Sequence, residues 1–188
     1  IQISSSTSSF NILDKNTFPK HDNIDGLVYF PGTINLKPFS NLKEIDFQTD
    51  YEINVLGLIN SLQFYQKSFN QNASIVTIST IAANFGMPFH SSISMCKSSV
   101  EALTKSLAAE WAPKIRLNCV APSLIATKMS EKFINSELKK EKISQKHPLK
   151  KIGETNDISN TISFLLSEKS KWITGQIIRI DGGLSNIR

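Results

Sequence analysis

An α/β fold built on a parallel sheet is predicted by three observations. A β-branched run, Ile75 to Ile78, ends in the polar pair Ser79-Thr80. A long helical segment carrying Lys97 follows a loop marked by Gly86 and Pro88. A second strand-like run, Ile115 to Val120, closes at Pro122. Strand, helix and strand in that order form the unit of a parallel sheet, because parallel neighbours need a long crossover between them. Ligands of such open sheets bind outside the carboxyl ends of the strands, so Ser79-Thr80 and Pro122-Ser123 are the expected edges of a site.

Composition narrows the functional classes. A chain of 188 residues, 40% hydrophobic, is long enough for one domain with one sizeable core. Cys96 and Cys119 fall in a predicted helix and a predicted buried strand with no secretory segment before them, which points to a reducing cytoplasm. No apolar run approaches the roughly 20 residues that span a bilayer, so no membrane partner is expected. The net charge of +5 is concentrated in Lys128, Lys132, Lys139, Lys140, Lys142, Lys146, Lys150 and Lys151. Such a run reads as the solvated face of a mobile helical flap between about Ser130 and Pro148, or as an attraction to an acidic or phosphorylated partner. Nucleic acid is not expected, because no aromatic or arginine stacking platform accompanies the lysines.

In chain order, residues 1–9 hold a short alternating apolar start and a serine cluster, and Phe10 to Asp14 reads as a second short strand. Asp25-Gly26 opens a buried-strand candidate that Pro31-Gly32 closes, the glycine allowing a tight turn beside a ligand. From Glu44 to Phe69, the residues Phe47, Tyr51, Val55, Leu58, Leu62, Tyr65 and Phe69 recur at steps of four and three. That spacing predicts one long amphipathic helix with Asn54 beside its apolar stripe. The helix from Ser92 to Ala112 carries Val100, Leu103, Leu107 and Trp111 on one side, and its small residues Ala102, Ala108 and Ala109 suit close packing on a second copy. Thr155 is the expected cap of a helix whose apolar side is Ile158, Ile162, Leu165 and Leu166, and TGQIIRIDGG supplies a last strand and a glycine turn.

Two stretches, KSSVEALTKSLAAEWAPKIRLNCVAPSLIATKM and ITGQIIRIDGG, carry a lysine helix, a proline-led loop and an Asp-Gly-Gly turn in sequence. In these the chain, from about Asp25 to Gly183, resembles the short-chain dehydrogenase/reductase family, close to the 3-oxoacyl-carrier-protein reductase type. The resemblance implies a single Rossmann-like domain, a doubly wound parallel sheet with strand order 3-2-1-4-5-6-7, and NAD or NADP at its switch point. It further implies a small-molecule carbonyl or hydroxyl substrate, carrier-linked in some relatives, and a homo-oligomer. Carried over residue by residue, the family's catalytic serine falls on Thr80, its lysine on Lys97 and its structural asparagine on Asn54. Cofactor contacts fall on Asp14 by the adenine, on Phe30 and Gly32 after the fourth strand, on Lys97 at the nicotinamide ribose, and on Pro122, Ile125 and Thr127 in the proline-led loop.

Two departures stand out. The family's catalytic tyrosine, four residues before the lysine, falls on Ile93, and no tyrosine occurs between Tyr65 and the C-terminus. Isoleucine cannot give or take a proton. His90, three residues earlier, is the nearest side chain that titrates near neutrality. No glycine precedes Gly26, so the family's glycine-rich pyrophosphate turn is missing along with its first strand. Its absence would leave a hole in the sheet, and a natural protein that begins upstream of Ile1 is the simplest expectation. The expected function is therefore an NAD(P)-dependent oxidoreductase with an atypical active site, with a non-catalytic family member in a binding or regulatory role as the alternative.

Overall fold

Residues 10–187 are described by the computed structural model of the chain, and four parallel strands form its centre. They are β1 (Ile24–Tyr29), β2 (Phe69–Ile78), β3 (Ile115–Pro122) and β4 (Ile177–Ile180), in the spatial order β1-β2-β3-β4. Register is set by pairs such as Val28 with Val76, Val76 with Asn118, and Val120 with Ile178. These strands read as near-continuous apolar runs because both faces of the sheet are covered. On one face Ile75, Leu117 and Cys119 pack with Leu58, Leu62, Val100 and Ala108 of two long helices. On the other, Val76 and Val120 meet Ile158, Ile162 and Leu165 of a C-terminal helix. The expected strand-helix-strand order and winding on both faces are present.

The helices are α1 (Glu44–Tyr51), α2 (Gly57–Tyr65), α3 (Ser91–Trp111), α4 (Glu137–Ser144) and α5 (Thr155–Leu166). The single helix expected from Glu44 to Phe69 is interrupted: a π turn, Glu52–Leu56, joins α1 to α2, and Phe69 begins β2 instead of ending the helix. A π turn adds a residue to one turn and rotates the stripe that follows. Tyr51 is accordingly 44% exposed, whereas Val55, Leu58, Leu62 and Tyr65 are buried. Asp50, in the last turn of α1, and Asn54, within the π turn, are both fully buried.

Other expectations need correction. Residues 10–14 form a turn, followed by a 3-10 helix at Lys15–Thr17, rather than a strand. The Asn16 N–H donates to Asp14 Oδ1 and the Asn11 N–H to Thr17 Oγ1, so short polar side chains hold the backbone away from a ladder. The proposed strand within residues 1–9 lies outside the described residues. The cap of α5 is Glu154, paired with Asp157 in a capping box, rather than Thr155. Ala108 is 3% exposed and faces its own core, which leaves only Ala102 and Ala109 of the small residues on the surface. The helical character expected of the flap between Ser130 and Pro148 is present, as a 3-10 turn at Glu131–Phe133 and then α4, with Leu138 81% exposed. Among the described residues, no helix is long and apolar enough to cross a membrane.

Arg116 ties β3 to the end of α5. Its Nη1 donates to Leu165 O and Ser170 O at 3.0 and 3.1 Å, and its Nη2 to Ser167 O at 3.2 Å. Arg116→Leu is expected to cost about 2–3 kcal/mol, because three carbonyls lose a charged donor together. Urea unfolding of the two proteins checks this through the shift in midpoint.

Candidate active site

Asn54, Gly32 and Lys97 come together at the carboxyl end of the sheet, although 22 residues of sequence or more separate each pair. Lys97 Nζ donates to Ile78 O at 2.8 Å, which anchors it at the last residue of β2, two residues before Thr80. Asn54 Nδ2 donates to Asp50 O and to Thr33 Oγ1, both at 2.8 Å. Asn54 Oδ1 is buried with no partner among the described residues. A Cβ built on Gly32 would sit 3.2 Å from that oxygen and 3.7 Å from Lys97 Nζ. Glycine therefore keeps open the space between a free acceptor and an ammonium group, at the turn that the sequence marks as a ligand position.

Burial pushes the Lys97 ammonium down to about 8, against weaker support for its charge from Cys119, Cys96 and Asp50. The folded value lies below the ordinary 10.5, so the burial cost is complete below pH 8 and fades as pH rises to 10.5. At about 1.4 kcal/mol per unit, the stability of wild type relative to Lys97→Met is expected to rise by about 3 kcal/mol across that window. Cys96 and Cys119, pushed up to about 11 by burial, act in the opposite direction above their ordinary 9.0, and because Lys97 holds both thiols somewhat lower, they do not cancel fully there, so the difference reads Lys97 most cleanly between pH 8 and 9. Chemical unfolding at a series of pH values measures it.

The other expected site residues fall as follows. Thr80 caps the 3-10 turn Ile81–Ala83, with its Oγ1 accepting the Ala82 N–H. Pro122 ends β3; Ile125 bridges to Gly153 and packs on the α5 side of the sheet. Thr127 is exposed, and its N–H donates to Ser130 Oγ at 2.9 Å. Phe30 is 61% exposed just beyond β1. Asp14, also exposed, caps the 3-10 turn Lys15–Thr17, which packs against α2. Ile93 is 3% exposed on the first turn of α3. His90 precedes that turn, and its Nδ1 is 2.7 Å from Pro88 O.

Sequence reasoning missed three polar groups. The first is Asp50, whose Oδ2 accepts from Ser92 Oγ at 2.6 Å and whose Oδ1 accepts from Thr33 Oγ1 and from Asn35 Nδ2. It lies four residues before Asn54 on the same helical face, and that spacing of two polar residues beside an apolar stripe was its only signal. The second is Glu101, 5% exposed, which accepts from Ser79 Oγ at 2.7 Å and from Asn84 Nδ2, holding the Thr80 loop to α3. The third is His147, 2% exposed, 2.9 Å from Ser123 Oγ and 3.0 Å from Ile143 O, which fastens the end of the lysine-rich segment to the loop after β3. A cleft of about 740 Å³ lies between the loop after β1 and that segment, lined by Thr33, Asn35, Thr49, Lys128, Met129, Glu131 and Lys132 among others.

These residues have the donor and acceptor set that one end of a nicotinamide dinucleotide would need: Lys97 spends one of its N–H donors on Ile78 and keeps others free, Asn54 Oδ1 is an acceptor without a partner among the described residues, and Gly32 leaves space between them. For the pyrophosphate end this chain has no glycine before Gly26.

Comparison with known proteins agrees with this geometry. Residues 5–185 match a family model described as Enoyl-(Acyl carrier protein) reductase. The 3-oxoacyl-[acyl-carrier-protein] reductase FabG of Thermotoga maritima is 34% identical over 168 residues, 88% of this chain and 68% of that protein. The peroxisomal 2,4-dienoyl-CoA reductase SPS19 of Saccharomyces cerevisiae is 30% identical over 172 residues, 90% of this chain but 59% of that protein. Among solved structures, ElxO with NADP bound superposes with a TM-score of 0.79 at 30% identity, over 93% of this chain and 76% of that one. The parallel sheet wound on both faces, the lysine at the end of β2 and these matches place the chain in the short-chain dehydrogenase/reductase family.

Proposed function

We propose that this chain is the nicotinamide- and substrate-binding part of an NAD(P)-dependent oxidoreductase that interconverts a hydroxyl and a carbonyl on a small molecule. The observation that carries the reading is the meeting of Lys97 Nζ and the unpartnered Asn54 Oδ1 over Gly32. When bound, the nicotinamide supplies or takes the hydride. Lys97 holds the ribose, Phe30 and Gly32 border it, and Pro122, Ile125 and Thr127 form the loop along its other side. Asp14 is assigned to the adenine end, and Thr80 to the substrate oxygen, which a hydroxyl at the end of β2 can meet. Carrier-linked substrates suit the lysines along the cleft, and a homo-oligomer over the exposed side of α3 belongs to the same reading.

Titration of NADPH fluorescence with protein expressed from the full open reading frame tests it. Saturable binding is expected, and Lys97→Met should weaken it roughly ten- to hundredfold, the value of one or two charge-assisted hydrogen bonds. Ile93, in place of a phenol, favours a second reading, a non-catalytic family member. Binding of neither NADPH nor NADH would remove the oxidoreductase and leave that alternative.

A further inference from the structure

Asp50 is a fully buried carboxyl to which the preceding assignments give no task. Its partners are all neutral and all donate: Ser92 Oγ to Oδ2, Thr33 Oγ1 and Asn35 Nδ2 to Oδ1. No cation lies in ion-pair contact with it among the described residues. A buried carboxyl held by neutral donors, with only the more distant charge of Lys97 to balance it, is costly for stability alone and is most economically explained by a task. The position supports one. Ser92 directly precedes Ile93, so the carboxyl lies beneath the turn of α3 that lacks the phenol. Thr33 and Asn35 line the 740 Å³ cleft, so two of the donors to Asp50 also border open space next to Gly32.

The hydrogen bonds of Thr33 fix its direction. A threonine hydroxyl has one proton and two lone pairs. The proton goes to Asp50 Oδ1, and one lone pair receives Asn54 Nδ2 at 2.8 Å. The second lone pair remains for the cleft. An alcohol whose O–H donates to that lone pair extends an unbroken line from the substrate through Thr33 to the carboxylate.

We propose that Thr33 and Asp50 form the proton relay of this site, in place of the absent tyrosine, an inference that rests on the oxidoreductase reading above. In the oxidising direction the substrate hydroxyl gives its proton to Thr33 Oγ1 as Thr33 gives its own to Asp50 Oδ1. The C–O bond gains its second bond as hydride leaves the carbon for the oxidised nicotinamide dinucleotide. Asp50 ends protonated, and Thr33 ends as it began. Reduction runs the same proton backwards, from Asp50 through Thr33 to the nascent alkoxide. Thr33 is the catalytic residue of the pair; Asp50 acts through it, while Ser92 and Asn35 hold the carboxyl in register.

Two measurements separate this relay from the reading beneath it. The first needs no cofactor: infrared difference spectra of chain labelled with ¹³C-aspartate, with the Asp50→Asn spectrum locating the Asp50 carboxyl band. Propane-1,2-diol at molar concentration should shift that band in wild type and in Thr33→Ser, but not in Thr33→Val. A band that ignores the diol in wild type, or moves equally in Thr33→Val, overturns the relay whether or not a dinucleotide binds. The second uses the full-length protein with NADP⁺ and a panel of secondary alcohols. Thr33→Val and Asp50→Asn should each lower kcat by roughly 10²–10⁴, the range of a lost acid–base group, a loss much larger than any change in dinucleotide affinity through Asn54 or Lys97. Thr33→Ser should retain turnover and its solvent deuterium isotope effect. Equal turnover in folded Thr33→Val contradicts the relay, and failure to bind either dinucleotide contradicts only the function on which it rests.

Discussion

Ile93→Tyr is expected to raise the kcat of the full-length protein about 10²-fold while leaving its affinity for NADPH unchanged. A phenol four residues before Lys97 would sit one helical turn from an ammonium that burial holds near 8, so its ionised form would gain a cation close by. The gain is placed at the lower end of the 10²–10⁴ range for a general acid because the Thr33 to Asp50 relay already moves the proton, though through an intermediate hydroxyl. Ile93 is 3% exposed, so the tyrosine must turn toward the cleft to act. Steady-state reduction of a ketone panel by both proteins reads the effect. No change in kcat in a folded variant would mean that the phenol cannot reach the position the family uses.

The second large effect is structural and acts on the same site. Gly57 → Val should cost about 3–5 kcal/mol and loosen Asn54. A Cβ on Gly57 would lie 2.5 Å from Tyr29 Oη and 2.9 Å from Ile12 Cγ1, inside any tolerable contact. Tyr29 is 5% exposed, and its Oη donates to Ile53 O within the π turn, so a branched side chain overpacks the site and breaks a buried hydrogen bond. Ile53 and Asn54 are neighbours, and movement of the one carries the other away from Gly32. Thermal unfolding gives the stability loss. Retained NADPH affinity in a folded variant would show that the π turn does not position Asn54.

The sheet was legible because its strands are covered on both faces, so Ile75 to Ile78 and Ile115 to Val120 announce themselves as apolar runs with no need of alternation. Helix α3 was legible for the complementary reason, a stripe at helical spacing that its own sheet buries. Where side chains talk to the local backbone, the reading failed: Phe10 to Asp14 has strand composition, yet Asp14 and Thr17 turn it. The π turn was hidden because its cause is distant, Tyr29 reaching over Gly57 to Ile53. Lys97, Asn54 and Thr80 were identified by resemblance, and the fold brings the first two to one point. Asp50 had no such guide. A lone aspartate on an amphipathic helix reads as solvated surface, and only the three donors that converge on it from the loop after β1 and from α3 reveal a buried centre.

The most direct measurement is a crystal structure of the full-length protein grown with NADP⁺. The account predicts the nicotinamide ribose hydroxyls within hydrogen-bond distance of Lys97 Nζ, the ring passing over Gly32, and Thr33 Oγ1 open to the space beside it. A dinucleotide bound elsewhere, or the same place closed by a side chain with Lys97 turned away, would contradict it.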